Sequence, residues 1–247
     1  MKKIKISAVS YTNTKPFLYG IQHTDIINKI DLSLDIPSDC AQKLIDDKVD
    51  IGLIPVAATL NLPHWEIISD YCIGANGAVN SVFIFSNCDI HEVTHLQLDP
   101  QSRTSNNLAK VLLKNFWKIT PELIADATDY SVGTNITTAF VQIGDRTFGK
   151  KNNYKFVYDL AEEWQKFTRL PFVFAAWIAN KPIPADFVTE FNLALKTGLD
   201  HRAELLKELT SREDFDLEDY LMNKLNFDLT EDKRKALYLF LDYIKAL

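Results

Sequence analysis

Long apolar runs are missing from this sequence. No stretch of its 247 residues stays apolar for the roughly 20 positions that crossing a bilayer as a helix requires. The basic start, MKKIKISAVSYTNTKP, does not supply a secretory signal, because its apolar run stops after Val9 and no small-residue cleavage site follows. Cysteine is scarce. Cys40, Cys72 and Cys88 are odd in number and scattered, which offers no disulfide framework and fits reduced thiols in the cytosol. The expected location is therefore cytoplasmic. An excess of positive charge is also absent: 27 Lys and Arg face 33 Asp and Glu, a net charge of −6. That balance argues against nucleic acid or an anionic membrane as partner and leaves room for a local basic pocket.

Several chemical signatures are missing too. There is no Walker phosphate loop, GxGxxG fingerprint, GxSxG elbow or HExxH pair. The five histidines, His23, His64, His91, His95 and His201, stand outside every polar motif described below, so a histidine general base has little support. Cys88, Asp89, His91 and His95 invite a metal reading. Ile90, Val93 and Leu96 make that segment a connection leading into a strand, not a helix presenting both imidazoles on one face, so no metal is expected. No internal repeat, low-complexity segment or flexible linker is visible.

What is present is a globular composition, 47% hydrophobic and 24% charged, long enough for one large or two small domains with a sizeable core. Residues 3–9 alternate as a strand, and Thr14 with Pro16 marks a helix start. Strands are expected at 32–36 and 50–55, with a helix opening at Pro37 between them. This alternation implies a parallel sheet with helices on its faces. Residues 66–73 and 78–86 read as adjacent antiparallel strands around the Asn76-Gly77 turn, the second long enough to pass from one domain to another. The pattern then restarts: strand 96–98, a helix over 103–116, strands at 123–127, 139–143 and 154–158, and a helix over 160–167. Residues 170–178, LPFVFAAWI, read as the strand returning to the first domain; Phe172, Phe174 and Trp177 are core, with one able to edge into a cleft. From Ile183 onward the pattern is helices alone, with Tyr220, Leu221 and Leu225 marking one of them. The expected architecture is α/β: a two-lobed clamshell with a ligand cleft between the lobes. Lobe 1 comprises residues 1–84 and 177–247, and lobe 2 residues 85–176. Clamshells of this kind hold small molecules.

The stretch LQLDPQSRTSNNLAKVLLKNF organises the functional reading. Its helix begins with Ser102, Arg103, Thr104 and Ser105: three hydroxyls and a guanidinium beside first-turn amides. Free amides and the positive end of the helix dipole favour a carboxylate, which Arg103 can grip with two parallel hydrogen bonds. The competing reading is ordinary capping by Ser102 or Thr104, with Arg103 paired to Asp99. Ser10, Tyr11, Thr12 and Asn13 follow the first strand, where ligands of open α/β sheets sit, and either face the cleft or cap the next helix. Asn80 and Ser81 are polar residues in an otherwise apolar strand; they reach a ligand at the cleft base or are satisfied by neighbouring backbone. Asp145, in the Ile143-Gly144-Asp145-Arg146 turn, is assigned a supporting role. The small residues of Pro55-Val56-Ala57-Ala58 permit close backbone approach. The whole set suits holding an oxygen-rich anion rather than attacking one.

Together, SYTNTKP, DIGLIPVA, VNSVFIFS, LDPQSRTSNNLAKVLL, IGDR and DLAEEWQKFTRLPFVFAAW resemble the chorismate dehydratases of the futalosine route to menaquinone, in order up to about Trp177. The resemblance implies a fold similar to type-II periplasmic binding proteins. It implies loss of water from chorismate to give 3-[(1-carboxyvinyl)oxy]benzoate, with no cofactor. It places Asn13 and Ser81 at the reacting part of the substrate and Ser102–Ser105 on a carboxylate; Ser10, Tyr11, Asn80 and Asp145 are further candidate substrate-binding residues. Thr12 and Asn80 depart from the family pattern. The rivals are a 1,4-dihydroxy-6-naphthoate synthase-like lyase, which would call for a cleft histidine, and a solute receptor or ligand sensor that binds a small carboxylate without turnover.

Overall fold

A computed structural model describes residues 3–125 and 136–247. In chain order, β1 (Ile4–Val9), α1 (Lys15–Gln22), β2 (Ile30–Asp35), α2 (Pro37–Ile45), β3 (Ile51–Pro55) and β4 (Glu66–Ala75) come first. Next are β5 (Val82–Ser86), β6 (His95–Gln97), α3 (Arg103–Leu112), β7 (Glu122–Ile124), β8 (Thr138–Ile143), β9 (Phe156–Asp159) and α4 (Leu160–Thr168). The chain closes with β10 (Phe172–Ala179), α5 (Ala185–Asp200), α6 (Arg202–Glu208), α7 (Leu217–Asp219), β11 (Asn226–Asp228) and α8 (Glu231–Lys245). Of the strand expected at 123–127, β7 covers the first part; Asp126 and Ala127 lie outside the described residues.

Two mixed sheets result, one ordered β11-β4-β10-β3-β1-β2 and the other β7-β6-β8-β5-β9. β1 pairs in parallel with β2 and β3, as alternating strands and helices require, and β10 returns antiparallel between β3 and β4. Several helix starts carry clear capping chemistry. Pro37 occupies the first turn of α2, and Ser102, Asp159 and Thr230 cap α3, α4 and α8 through side-chain oxygens.

Three expectations are corrected. Residues 66–73 and 78–86 are not partners: β4 lies in the first sheet and β5 in the second. Gly77, at φ +96°, makes the turn, but Asn80, at φ +61°, then redirects the chain. Neither long apolar strand spans both sheets, because among the described residues β5 pairs only with β8 and β9, and β10 only with β3 and β4; the chain changes sheet in 76–81 and 160–171. The C-terminal region is not helical alone. β11 adds a short strand to β4, too brief for a periodic signal.

The apolar core runs continuously between the sheets and their helices, with Trp164, Trp177, Phe17, Phe172, Phe191 and Phe240 among its fully buried side chains. α1 crosses α5 where Gly20 and Gly198 let the two backbones touch. Among the described residues no helix is long and apolar enough to cross a membrane.

One buried cation ties the C-terminal segment down. Lys233, 1% exposed, donates from Nζ to the backbone oxygen of Asn226, to Asn226 Oδ1 at 2.6 Å and to Asp228 O at 2.8 Å. Burial pushes its amino group below the usual lysine range. Lys233→Met keeps the length and strips these acceptors of their donor. A stability loss of about 3 kcal/mol is expected, because each buried orphan costs about 1–3 kcal/mol. Urea denaturation checks it, and a loss below about 1 kcal/mol would show that water replaces the ammonium.

Candidate functional site

Between the two sheets lies a cavity of about 50 Å³. Its wall carries Tyr11 and Asn13 beyond β1, Pro55 at the end of β3, Ser81 entering β5, Ser102, Thr104 and Ser105 at the start of α3, Ile143-Gly144 at the end of β8, and Phe174 of β10. Polar groups from both halves of the molecule thus converge beyond the carboxyl ends of β1, β3 and β8. Among the described residues, the wall contains no Asp, Glu, Lys, Arg or His.

The α3 end combines both readings open from the sequence. Ser102 Oγ accepts from Ser105 N at 3.0 Å, an N-cap, yet Ser102, Thr104 and Ser105 also border the cavity. Thr104 Oγ1 accepts from Ala57 N at 3.2 Å, so the small-residue turn after β3 meets α3 directly. Arg103 is different. It projects from the cavity side of the helix toward α2, where Nη2 donates to Gln42 Oε1 at 2.9 Å, and it does not line the cavity. Nor is it Asp99's partner. That place belongs to Arg146, whose Nη2 lies 2.6 Å from Asp99 Oδ2, while Asp99, fully buried, also accepts from Ile143 N at 3.0 Å and Gln101 N at 2.9 Å.

Tyr11 forms one wall. Its hydroxyl donates to Gln101 Oε1, and burial raises its phenol above the ordinary value against the pull of Arg146. Its ring lies on Gly144, φ +65°, where a Cβ would stand 2.5 Å from the ring carbons, so glycine is required there. Asp145 turns away from the cavity and accepts from Thr12 N, at 3.1 Å to each oxygen, and from Thr12 Oγ1 at 2.8 Å, bridging the turn after β1 to the turn after β8. Ser10 is exposed and outside the wall, its N–H spent on Asp35 O at 2.9 Å. Asn80 is also outside: its N–H donates to Asp159 Oδ2 at 2.7 Å, its Oδ1 accepts from Lys151 Nζ at 2.5 Å, and it borders a separate cavity of about 230 Å³.

Two residues escaped sequence reasoning. Tyr220, 1% exposed, donates its hydroxyl to Ser81 Oγ at 2.9 Å. In the sequence it belongs to an apolar stripe, and nothing local marks a partner 139 residues away. Asp159 caps α4 through Ala161 N at 3.1 Å and Glu162 N at 3.3 Å, in addition to holding Asn80. Burial outweighs these amides and lifts its carboxyl from 3.8 to about 6. The native state therefore holds this proton more tightly than the unfolded chain. The stability it contributes is complete below 3.8 and disappears as pH rises through about 6. Wild type should lose on the order of 2–3 kcal/mol relative to Asp159→Asn over that interval, measured by denaturant titration. A gap that does not change with pH would rule this out.

Two α/β sheets facing each other across a cavity, with the chain passing between them twice, define a periplasmic-binding-protein-like fold, and solved structures agree. The chain is similar to protein AF1704 from Archaeoglobus fulgidus, at a TM-score of 0.76 and 15% identity over 99% of this chain and 97% of that one. It is also similar to an ABC transporter structure from Parabacteroides distasonis (TM-score 0.66, 16% identity, 100% and 93% covered). A third likeness is the Candida albicans CA3427 gene product, described as having the generic periplasmic binding protein fold (TM-score 0.60, 11% identity, 100% and 94% covered). The family model described as menaquinone biosynthesis matches residues 4–246. The chain belongs to that family.

Proposed function

We propose that this protein is a carbon–oxygen lyase that removes water from chorismate to give 3-[(1-carboxyvinyl)oxy]benzoate within menaquinone biosynthesis. The observation that carries the reading is the make-up of the cavity wall. Hydroxyls and an amide (Asn13, Ser81, Ser102, Thr104 and Ser105) meet a helix N-terminus, with no side-chain general base among the described wall residues. The family match supports the pathway.

Chorismate is a dianion with a ring carboxylate, an enolpyruvyl carboxylate and a ring hydroxyl. The reaction breaks the C–H bond at the ether-bearing ring carbon, and its electron pair becomes the new ring double bond as the neighbouring C–O bond breaks. The hydroxyl leaves with the proton as water, and aromaticity supplies the driving force, so the step calls for no metal or redox partner. What the protein must do is hold the dianion, orient the breaking bonds and exclude bulk water. In this reading the α3 amides and hydroxyls take a carboxylate, while Asn13 and Ser81 hydrogen-bond the departing hydroxyl. A substrate carboxylate takes the proton from the ring carbon and passes it to the departing hydroxyl, which leaves as water. Tyr11 packs beside the ring. Arg103 acts from outside, closing α3 onto α2 through Gln42.

The cavity of about 50 Å³ holds a few waters and is smaller than a ring with two carboxylates. Entry therefore requires the two sheets to part, breaking Thr12–Asp145, Arg103–Gln42 and Ala57–Thr104. The lobes of this reading are the two sheets with their helices, hinged at 76–81 and 160–171 rather than at residues 84 and 177. A cytoplasmic location is part of the same proposal, supported by three free, buried thiols.

The test is to incubate purified protein with chorismate and follow the aromatic product by proton NMR. Release of the enolpyruvyl benzoate is the expected result. Tight binding without any aromatic product would overturn the reading in favour of a carboxylate receptor. The naphthoate synthase alternative is disfavoured because, among the described residues, no histidine borders the cavity.

A further inference from the structure

Ser81 lies at the point where the chain leaves one sheet for the other, and its Oγ accepts from the hydroxyl of Tyr220 at 2.9 Å. Tyr220 itself does not border the cavity that Ser81 and Asn13 line. It sits behind them, facing the second cavity. Its ring is held edge-on by Phe148 and Phe215, at centroid distances of 5.4 and 5.3 Å, so the hydroxyl has little freedom to move. Asn13, which lines the same cavity as Ser81, accepts through Oδ1 from Thr14 Oγ1 at 3.2 Å.

These contacts fix a direction. The phenol donates to Ser81 Oγ, so the Ser81 oxygen is engaged as an acceptor and its own hydroxyl proton is left for a group in the cavity that Ser81 borders. Burial holds the phenol well above its ordinary range, so Tyr220 keeps its proton and remains a donor at every working pH. In a buried relay of this kind each hydrogen bond polarises the next.

We propose that Tyr220 is a positioning residue, which through this contact presents the Ser81 hydroxyl as a hydrogen-bond donor to the ligand oxygen. The proposal rests on the reading of the cavity as the chorismate site. A purely structural role, pinning the C-terminal segment to the crossover, would give the same static contacts but different kinetics.

Tyr220→Phe keeps the ring and removes only the hydroxyl. Expected is a fall in kcat of about 10-fold with KM within about twofold and a melting temperature close to wild type. Expected also is a double-mutant cycle that fails to multiply: Ser81→Ala costs much less in the Tyr220→Phe background than alone. Multiplicative losses, or a kcat within about twofold of wild type, would overturn the proposal while leaving the chorismate reading intact. If wild type does not dehydrate chorismate, the chorismate reading fails on its own, and the relay is then judged by calorimetry with 3-(carboxymethoxy)benzoate, an unreactive dicarboxylate. There Ser81→Ala should weaken binding by about fivefold in the wild-type background and hardly at all beside Tyr220→Phe. Equal losses in both backgrounds, or no binding by wild type, would overturn it.

Discussion

Asn13→Ala is expected to lower kcat for the proposed chorismate dehydration about 100-fold while KM stays within about threefold, since preorganised donors to developing charge contribute about 10²–10³ to kcat. Asn13 follows β1 in a short turn that seats its amide at the cavity wall, beside Thr14. In the proposed reaction charge builds on the departing oxygen as the C–O bond lengthens, and a donor already held beside Thr14 has little reorganisation left to undergo. The bond strengthens in the transition state, so the loss falls on kcat rather than on binding. Steady-state kinetics on the purified variant measure the split. A raised KM with unchanged kcat would mean that Asn13 only binds the ground state.

Gly198→Ala should abolish the native fold or cost at least about 3 kcal/mol, even though alanine favours helix over glycine by about 1 kcal/mol. A Cβ at position 198 would stand 1.8 Å from the Pro16 carbonyl oxygen and 2.7 Å from Gly20 N. Both are backbone atoms of α1, so no rotamer change relieves the clash and the two helices must separate. Trp177 packs between Phe17 of α1 and Phe191 of α5, at centroid distances of 5.8 and 5.0 Å, and the separation would open gaps around it. Soluble yield and urea denaturation decide the outcome. Leu193→Ala on the same helix, at a residue 63% exposed, should stay within about 0.5 kcal/mol of wild type. Comparable losses at both positions would point to general fragility of α5 instead.

Local chemistry made much of the fold readable. The helix starts at Pro37 and Ser102 and the strand expected at 50–55, observed at 51–55, are governed by side chains close in sequence, and they stand in the structure as the sequence indicates. What could not be read depends on distant partners. Residues 66–73 and 78–86 read as a hairpin because Asn76-Gly77 is a turn signal, but a turn does not dictate pairing: β4 pairs with β10 and β5 with β8. β11, a three-residue strand, exists only because β4 has an open edge and Lys233 ties its carbonyls.

The site divides along the same line. Tyr11, Asn13, Ser81, Ser102, Thr104 and Ser105 are legible as polar groups at strand ends and a helix start, and they border one cavity. Ser10, Asn80, Arg103 and Asp145 share those local patterns but face Asp35, Asp159, Gln42 and Thr12 instead.

By itself the sequence determined which segments form strands and helices, where the helices begin and which polar groups stand at their ends, because propensity, capping and periodicity act over a few residues. Only the tertiary structure decided which of those groups meet. That choice depends on which sheet each strand joins and on side chains far apart along the chain, such as Tyr220 on Ser81 and Arg146 on Asp99, finding one another when the core closes.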